Sequence, residues 1–191
     1  MRNFAVASRT KPDLLPVALA IMAALALLLA AELFASPRNT SQLDDPTIVA
    51  IFDAANTADI ETGTLAAERG HSKEVRDFGA MLVRDHVQVR QLGRDLAQKL
   101  RVTPTPPAED PAAAAHAQAM ASLRSKTGPE FDRAFLQHEA AFHKSVIDAV
   151  QTTLLPAIKN DELRALVEKV APAFQAHMLA AQNLERQLAT R

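Results

Sequence analysis

From residue 45 to the C-terminus, apolar residues recur every three or four positions, the spacing that places side chains on one face of an α-helix. The pattern is interrupted at turn-forming residues and so divides into four long segments. No alternation of apolar and polar residues, the pattern of a half-buried β-strand, competes with it. The predicted long helices cover 45–69, 72–100, 130–155 and 160–188.

Local signals mark where these helices begin and end. Asp45 followed by Pro46 is typical of a helix start, with Asp45 as the predicted N-terminal cap, and Gly70 ends the first helix. Four prolines within 102–111 force an extended connection, and a weaker, alanine-rich helix is predicted over 112–126.

Each long helix has an apolar stripe that must be buried against its neighbours. Antiparallel packing in a four-helix bundle buries all four stripes. The proline-rich connection is long enough to cross over between the second and third long helices. We therefore predict an all-α fold, with a four-helix bundle over 45–191.

The first 35 residues differ from the rest of the chain. Residues 14–31 carry no charge and are numerous enough to span a bilayer. Leu29 and Leu33 occupy positions where a signal-peptidase site needs small side chains, which favours an uncleaved anchor over a cleaved signal peptide. We therefore predict an anchor or signal peptide over 1–35, with the cleaved form as the alternative, and a polar tether over 36–44.

The charges around the apolar segment predict its orientation. Basic residues are more numerous before it than directly after it, which places the N-terminus inside and the rest outside. In a bacterium the domain would be anchored to the cell membrane and face the periplasm, or be free in the periplasm after cleavage. The membrane is thus the one predicted partner. Nucleic acid is not expected, because 21 basic and 22 acidic residues leave a formal net charge of −1.

Composition also limits the chemistry. Cysteine is absent, which excludes disulfides, thiolate metal sites and iron–sulfur clusters. A metal ion would have to be bound by carboxylates and by some of the six histidines. Five residues of these types interrupt the apolar stripes near the middle of the four long helices. They are Glu61, His86, Glu139, His143 and His177.

Because the midpoints of antiparallel helices lie at the same height, we expect these five side chains to converge. Buried carboxylates and imidazoles are costly without partners, and a single transition-metal ion (Fe, Mn, Zn or Cu) would satisfy all of them. Asp85, next to His86, is expected to contact the other nitrogen of a histidine. The alternative is a metal-free polar network that fixes the register of the helices.

Three segments of the sequence resemble a known family. They are Phe78-Gly-Ala-Met-Leu-Val-Arg-Asp-His86, Phe131-Asp132 followed by Glu139 and His143, and Pro172-Ala-Phe-Gln-Ala-His177. Over about residues 46–188 the chain resembles an uncharacterised bacterial family of exported proteins, often labelled outer membrane proteins and placed in the ferritin-like superfamily. The resemblance implies a ferritin-like four-helix bundle and no established reaction.

The chain departs from the ferritins proper. Di-iron bundles take Glu-x-x-His from two of their helices, but Val83 and Phe174 stand three residues before His86 and His177. One metal ion, or none, fits better than two. We therefore predict an exported, membrane-tethered bundle that binds a single transition metal, with a redox or metal-handling role in the cell envelope. A non-catalytic periplasmic interaction module is the alternative, and the sequence identifies no catalytic residue.

Overall fold

The computed structural model describes residues 43–190, and this part of the chain is helical apart from short connections. The predicted all-α class is confirmed for these residues. After Ala149 the chain continues as a π-helical segment, Val150–Leu154, and a short α-helical turn, Leu155–Ala157. The five helices are α1 (Asp45–Arg69), α2 (Lys73–Leu100), α3 (Pro111–Arg124), α4 (Gly128–Ala149) and α5 (Asp161–Ala189).

The predicted anchor or signal peptide, 1–35, lies outside the described residues, as does the predicted tether, 36–44, except for its last two positions. Within 43–190, no helix has the length and apolar character that a membrane crossing needs.

The start of α1 differs from the prediction by one residue. The N-terminal cap is Asp44, whose side chain accepts a hydrogen bond from the backbone N–H of Thr47 at 2.9 Å. The Asp45 carboxylate instead accepts hydrogen bonds from the backbone N–H groups of Lys159 and Asn160, at 2.9 and 3.0 Å. Asp45 therefore holds the start of α1 against the connection that precedes α5.

Two glycines allow the backbones of α1 and α2 to approach closely. A Cβ atom on Gly79 would lie 2.6 Å from the carbonyl oxygen of Gly63 and 2.7 Å from the backbone nitrogen of Ala67. A Cβ atom on Gly63 would lie 2.9 Å from the carbonyl oxygen of Gly79. Backbone atoms cannot move aside as a side chain can, so glycine at both positions maintains this contact.

The four longest described helices each pack against two others, and the interior between them contains two separate apolar clusters. α1 packs against α2 and α4, α5 packs against α4 and α2, and α3 contacts α4. Two apolar clusters fill the interior. In α5, for example, Phe174 belongs to one cluster and Ala181 to the other, with buried His177 between them. The buried polar residues between the two clusters are Asn56, Asp59 and Thr62 in α1, His86 in α2, Glu139 and His143 in α4, and His177 in α5.

Candidate metal centre

Three imidazole rings, one each from α2, α4 and α5, form a triangle between the two apolar clusters. The ring centroids of His86 and His143 are 5.6 Å apart, those of His86 and His177 5.2 Å, and those of His143 and His177 5.3 Å. All three residues are buried. One ring nitrogen from each lies within 4.8 Å of one from both others. Ligand bonds to nitrogen are about 2 Å long, so small rotations of the rings would let one ion bind all three.

Asn56 fixes the tautomer of His86. The Nδ2 amide group of Asn56 donates to the carbonyl oxygen of Phe52 at 2.8 Å, which leaves its Oδ1 atom facing Nδ1 of His86 at 2.9 Å. Since Oδ1 can only accept, Nδ1 of His86 carries the proton. The lone pair of His86 is therefore on Nε2.

The other two imidazoles are oriented in the same way by acceptors. Nδ1 of His143 lies 3.0 Å from the backbone carbonyl oxygen of Glu139 and donates to it, so its lone pair is on Nε2. Nε2 of His177 lies 3.2 Å from Oδ2 of Asp85, so the lone pair of His177 is on Nδ1 when Nε2 donates. This is the kind of contact that the sequence predicts for Asp85. Acceptors that hold the outer nitrogen of an imidazole are typical of metal-binding histidines.

The three remaining nitrogens have no hydrogen-bond partner. Nε2 of His86, Nε2 of His143 and Nδ1 of His177 are all buried and unpartnered within 43–190. Burial lowers the pKa of His86 to about 3, with further lowering from His143 and His177, and burial lowers the pKa of His143 to about 4. Burial also lowers the pKa of His177, although Asp85 opposes the shift. The imidazoles are therefore neutral at neutral pH and keep their lone pairs.

Two buried carboxyl groups lie beside the triangle. Oδ1 of Asp59 is 3.9 Å from Nε2 of His143, and Oδ2 is 3.5 Å from Nδ1 of His86. Burial and the neighbouring Glu139 carboxylate raise the pKa of Asp59 well above its ordinary value. Burial raises the pKa of Glu139 to about 7. Asp59, Glu139 and His143 form a second group of ligand atoms within 4.8 Å of one another, so His143 belongs to both groups.

The structure brings together most of the residues that the sequence predicts as ligands. Glu61 is the exception, because its Oε2 atom contacts Nε2 of His116 in α3 at 2.7 Å and its side chain is 53% exposed. The predicted convergence of Glu61 with the histidines is therefore corrected, and Asp59 is the α1 carboxylate at this position. The predicted residues found in the two groups are His86, Glu139, His143 and His177.

A family model supports the resemblance of the three sequence segments to a known family. The model, described as Domain of unknown function (DUF4142), matches residues 30–184, which include both groups of ligand atoms. The chain belongs to the DUF4142 family. Neither a curated protein nor a solved structure matches it. For this DUF4142 protein, the chemistry of the centre must be inferred from its own residues.

Sequence reasoning missed two residues of the DUF4142 centre, Asn56 and Asp59. Both lie on the buried face of α1, together with Phe52 and Thr62. The spacing of Phe52, Asn56, Asp59 and Thr62 is the three-and-four spacing of one helix face. Polar residues occupy the middle of that face, so a search for apolar stripes follows a neighbouring face instead. Reading Asn56, Asp59 and Thr62 as a buried polar run would have found them.

Proposed function

We propose that this DUF4142 protein binds one transition-metal ion through His86, His143 and His177. The main support is the orientation of the three imidazoles, whose lone pairs remain on buried nitrogens without partners. A buried acceptor without a partner costs about 1–3 kcal/mol. A bound cation would remove that cost at all three nitrogens at once.

Carboxylates next to the imidazoles extend the ligand set. Asp59 is close enough to His143 to supply a fourth ligand after a small movement, and Glu139 lies beside it. Neutral imidazoles with carboxylate oxygens suit Zn, Fe, Cu or Mn. Three histidines alone would leave a coordination position open, as in catalytic sites. We therefore propose a redox or metal-handling role.

We further propose that α1, α2, α4 and α5 form an antiparallel, ferritin-like four-helix bundle. The support is that each of these helices packs against two of the others in a closed sequence of contacts, α1 with α2, α2 with α5, α5 with α4, and α4 with α1. Short connections between α1 and α2 and before α5 are those expected of antiparallel neighbours.

We propose that the protein is exported and works in the cell envelope. The support is the uncharged stretch 14–31 and the excess of basic residues before it. The domain would be tethered to the cell membrane on its periplasmic side, or free in the periplasm after cleavage.

A metal-free polar network is the second candidate, and one observation favours it. Burial raises the pKa of Glu139 to about 7 and that of Asp59 well above its ordinary value, so the pair can hold a proton near neutral pH. A network of this kind would stabilise a non-catalytic periplasmic interaction module without any cation.

Metal content separates the two candidates. The full-length protein, purified in detergent, is loaded in turn with Zn, Cu, Fe and Mn, desalted, and analysed by mass spectrometry for bound metal. We expect one equivalent of at least one metal, lost in His86→Ala, His143→Ala and His177→Ala. His71→Ala is the matched control, because His71 is exposed. Circular dichroism verifies that each variant is folded.

The metal proposal is wrong if the wild-type protein retains none of the four metals. It is also wrong if the three cluster variants bind metal as well as His71→Ala does.

A further inference from the structure

A small cavity lies between α1, α5 and the C-terminal part of α4 with its π-helical continuation. Its volume is about 70 Å³. Apolar side chains such as Phe52, Val150 and Val167 line it, and Asn56 is the one residue with a polar side chain among those that line it within 43–190. The cavity therefore has an apolar wall and lies next to Asn56, which contacts His86 of the histidine triangle.

The polar groups of Asn56 are not available to a molecule in the cavity. Its Nδ2 atom donates to the carbonyl oxygen of Phe52, and its Oδ1 atom accepts from His86. A buried water molecule needs two to four polar partners, and an apolar cavity without them stays dry. The cavity therefore favours an uncharged apolar occupant over water.

Phe174 separates the cavity from the imidazoles. Its side chain lines the cavity. Its ring is stacked on that of His86, with centroids 5.8 Å apart and an angle of 8° between the planes, and lies 6.3 Å from that of His143. Phe174 therefore contacts both the cavity and two imidazoles of the candidate metal centre.

The π-helical segment Val150–Leu154 forms part of the wall through Val150 and Leu154. A π-helical turn holds one more residue than an α-helical turn, and such turns are frequent at functional sites. Five of the residues that line the cavity are only partly buried, so its wall reaches the protein surface; they are Ile51, Ala55, Val146, Ala149 and Leu154. This gives a small molecule a path from solvent.

We propose that this cavity binds a small uncharged apolar molecule, of the size and polarity of dioxygen, and passes it to the metal centre by way of Phe174. A dry engineered cavity of about 150 Å³ binds benzene or xenon, so this smaller one suits a molecule of a few atoms. Binding in the cavity is independent of the proposed metal. The passage to the centre rests on the proposed function.

Xenon is the probe, and methyl NMR of the full-length protein without metal locates it. The methyl signals of Val150 and Val167 shift in a saturable way as xenon pressure rises. Val75 is the internal control, since it is also buried but belongs to the other apolar cluster. If the signals of Val150 and Val167 shift no more than that of Val75, the cavity does not bind xenon and the inference is wrong.

A filled cavity provides the second test. Ala149→Leu adds a larger side chain to the wall of the cavity, and we expect it to weaken xenon binding about tenfold or more. Ala141→Leu makes the same change at an exposed position of α4 and leaves binding as in wild type. Equal xenon affinities in the two variants would overturn the proposed binding site.

The link to the metal is tested with Cu(II), which is paramagnetic. We expect faster relaxation of bound xenon in Cu(II)-loaded protein than in Zn-loaded protein, because Phe174 lines the cavity and is stacked on His86. Unchanged relaxation would overturn the passage. Xenon binding by a protein that retains no metal would support the cavity while refuting both the passage and the proposed function, so the two failures are distinguishable.

Discussion

Replacing Asn56 by Leu tests whether the tautomer of His86 controls metal binding. Asn56 is 2% exposed and His86 1% exposed, so water cannot replace the lost acceptor. Leu has the same branching and the same number of side-chain heavy atoms, but it has no atom that accepts a hydrogen bond from Nδ1 of His86. The proton then moves to Nε2, where it occupies the lone pair proposed to bind the metal, or stays unpaired at a cost of about 1–3 kcal/mol.

The expected loss follows from the geometry of this contact. The hydrogen bond from His86 to Asn56 is 2.9 Å long, and the nearest other acceptor, Oδ2 of Asp59, is 3.5 Å away. Asp59 can replace Asn56 only if its carboxylate and the imidazole move closer together. Removing a partner that orients a metal-binding histidine lowers affinity about 10- to 100-fold, which equals about 1.4–2.7 kcal/mol of binding free energy.

Competition against a chelating dye measures the zinc affinity of each variant. Asn183→Leu is the matched control, because it makes the same chemical change at an exposed position of α5. The control should bind zinc as wild type does, while Asn56→Leu binds it about 10- to 100-fold more weakly. If Asn56→Leu retains wild-type zinc affinity although His177→Ala has lost it, the tautomer of His86 does not control zinc binding.

Three further predictions concern residues around the centre and between the helices. Asp85→Leu should lower zinc affinity about tenfold by releasing His177, while Asp85→Asn, which keeps an acceptor, should lower it less in the same titration. Gly79→Ala should lower the free energy of unfolding by about 2–3 kcal/mol in urea titrations, because its Cβ atom would lie 2.6 Å from the carbonyl oxygen of Gly63, and an unchanged midpoint would contradict this contact. Asp132→Ala should cost about 2–4 kcal/mol in the same assay, since the buried carboxylate accepts two backbone hydrogen bonds at the start of α2, of 2.7 and 2.8 Å; Asp132→Asn, which keeps one acceptor, should cost less.

Much of the fold could be predicted from local signals. The apolar spacing, Gly70 and the proline-rich stretch 102–111 gave helix boundaries close to those of the structure, because each of these signals acts on its own segment of the backbone. The cap at Asp44 was missed because Asp45 is an equally good capping residue and stands before Pro46. An interaction between residues far apart in the sequence decides between them, because Asp45 accepts hydrogen bonds from the connection before α5.

Only part of the candidate site could be predicted from the sequence. His86, Glu139, His143 and His177 could be predicted because each interrupts a clear apolar stripe. In α1, by contrast, the alanine-rich sequence marks no single face strongly, and Glu61 lies two residues after Asp59, on the far side of the helix. Which face of α1 is buried depends on its packing against α2, and that is a tertiary property.

The hydrogen bonds around the triangle bear on the choice between a cation site and a self-sufficient polar network. In a network, the proton of one imidazole points at the lone pair of the next. Here the outer nitrogens of His86 and His143 donate to acceptors that cannot donate in return, and Nε2 of His177 faces a carboxylate. The three nitrogens without partners are then all acceptors, and they cannot satisfy one another. The nearest proton that a network could use belongs to the Asp59–Glu139 pair, but Oδ1 of Asp59 is 3.9 Å from Nε2 of His143, beyond hydrogen-bond distance. Three buried lone pairs with no hydrogen-bond partner within 43–190 are an arrangement that a bound cation would satisfy.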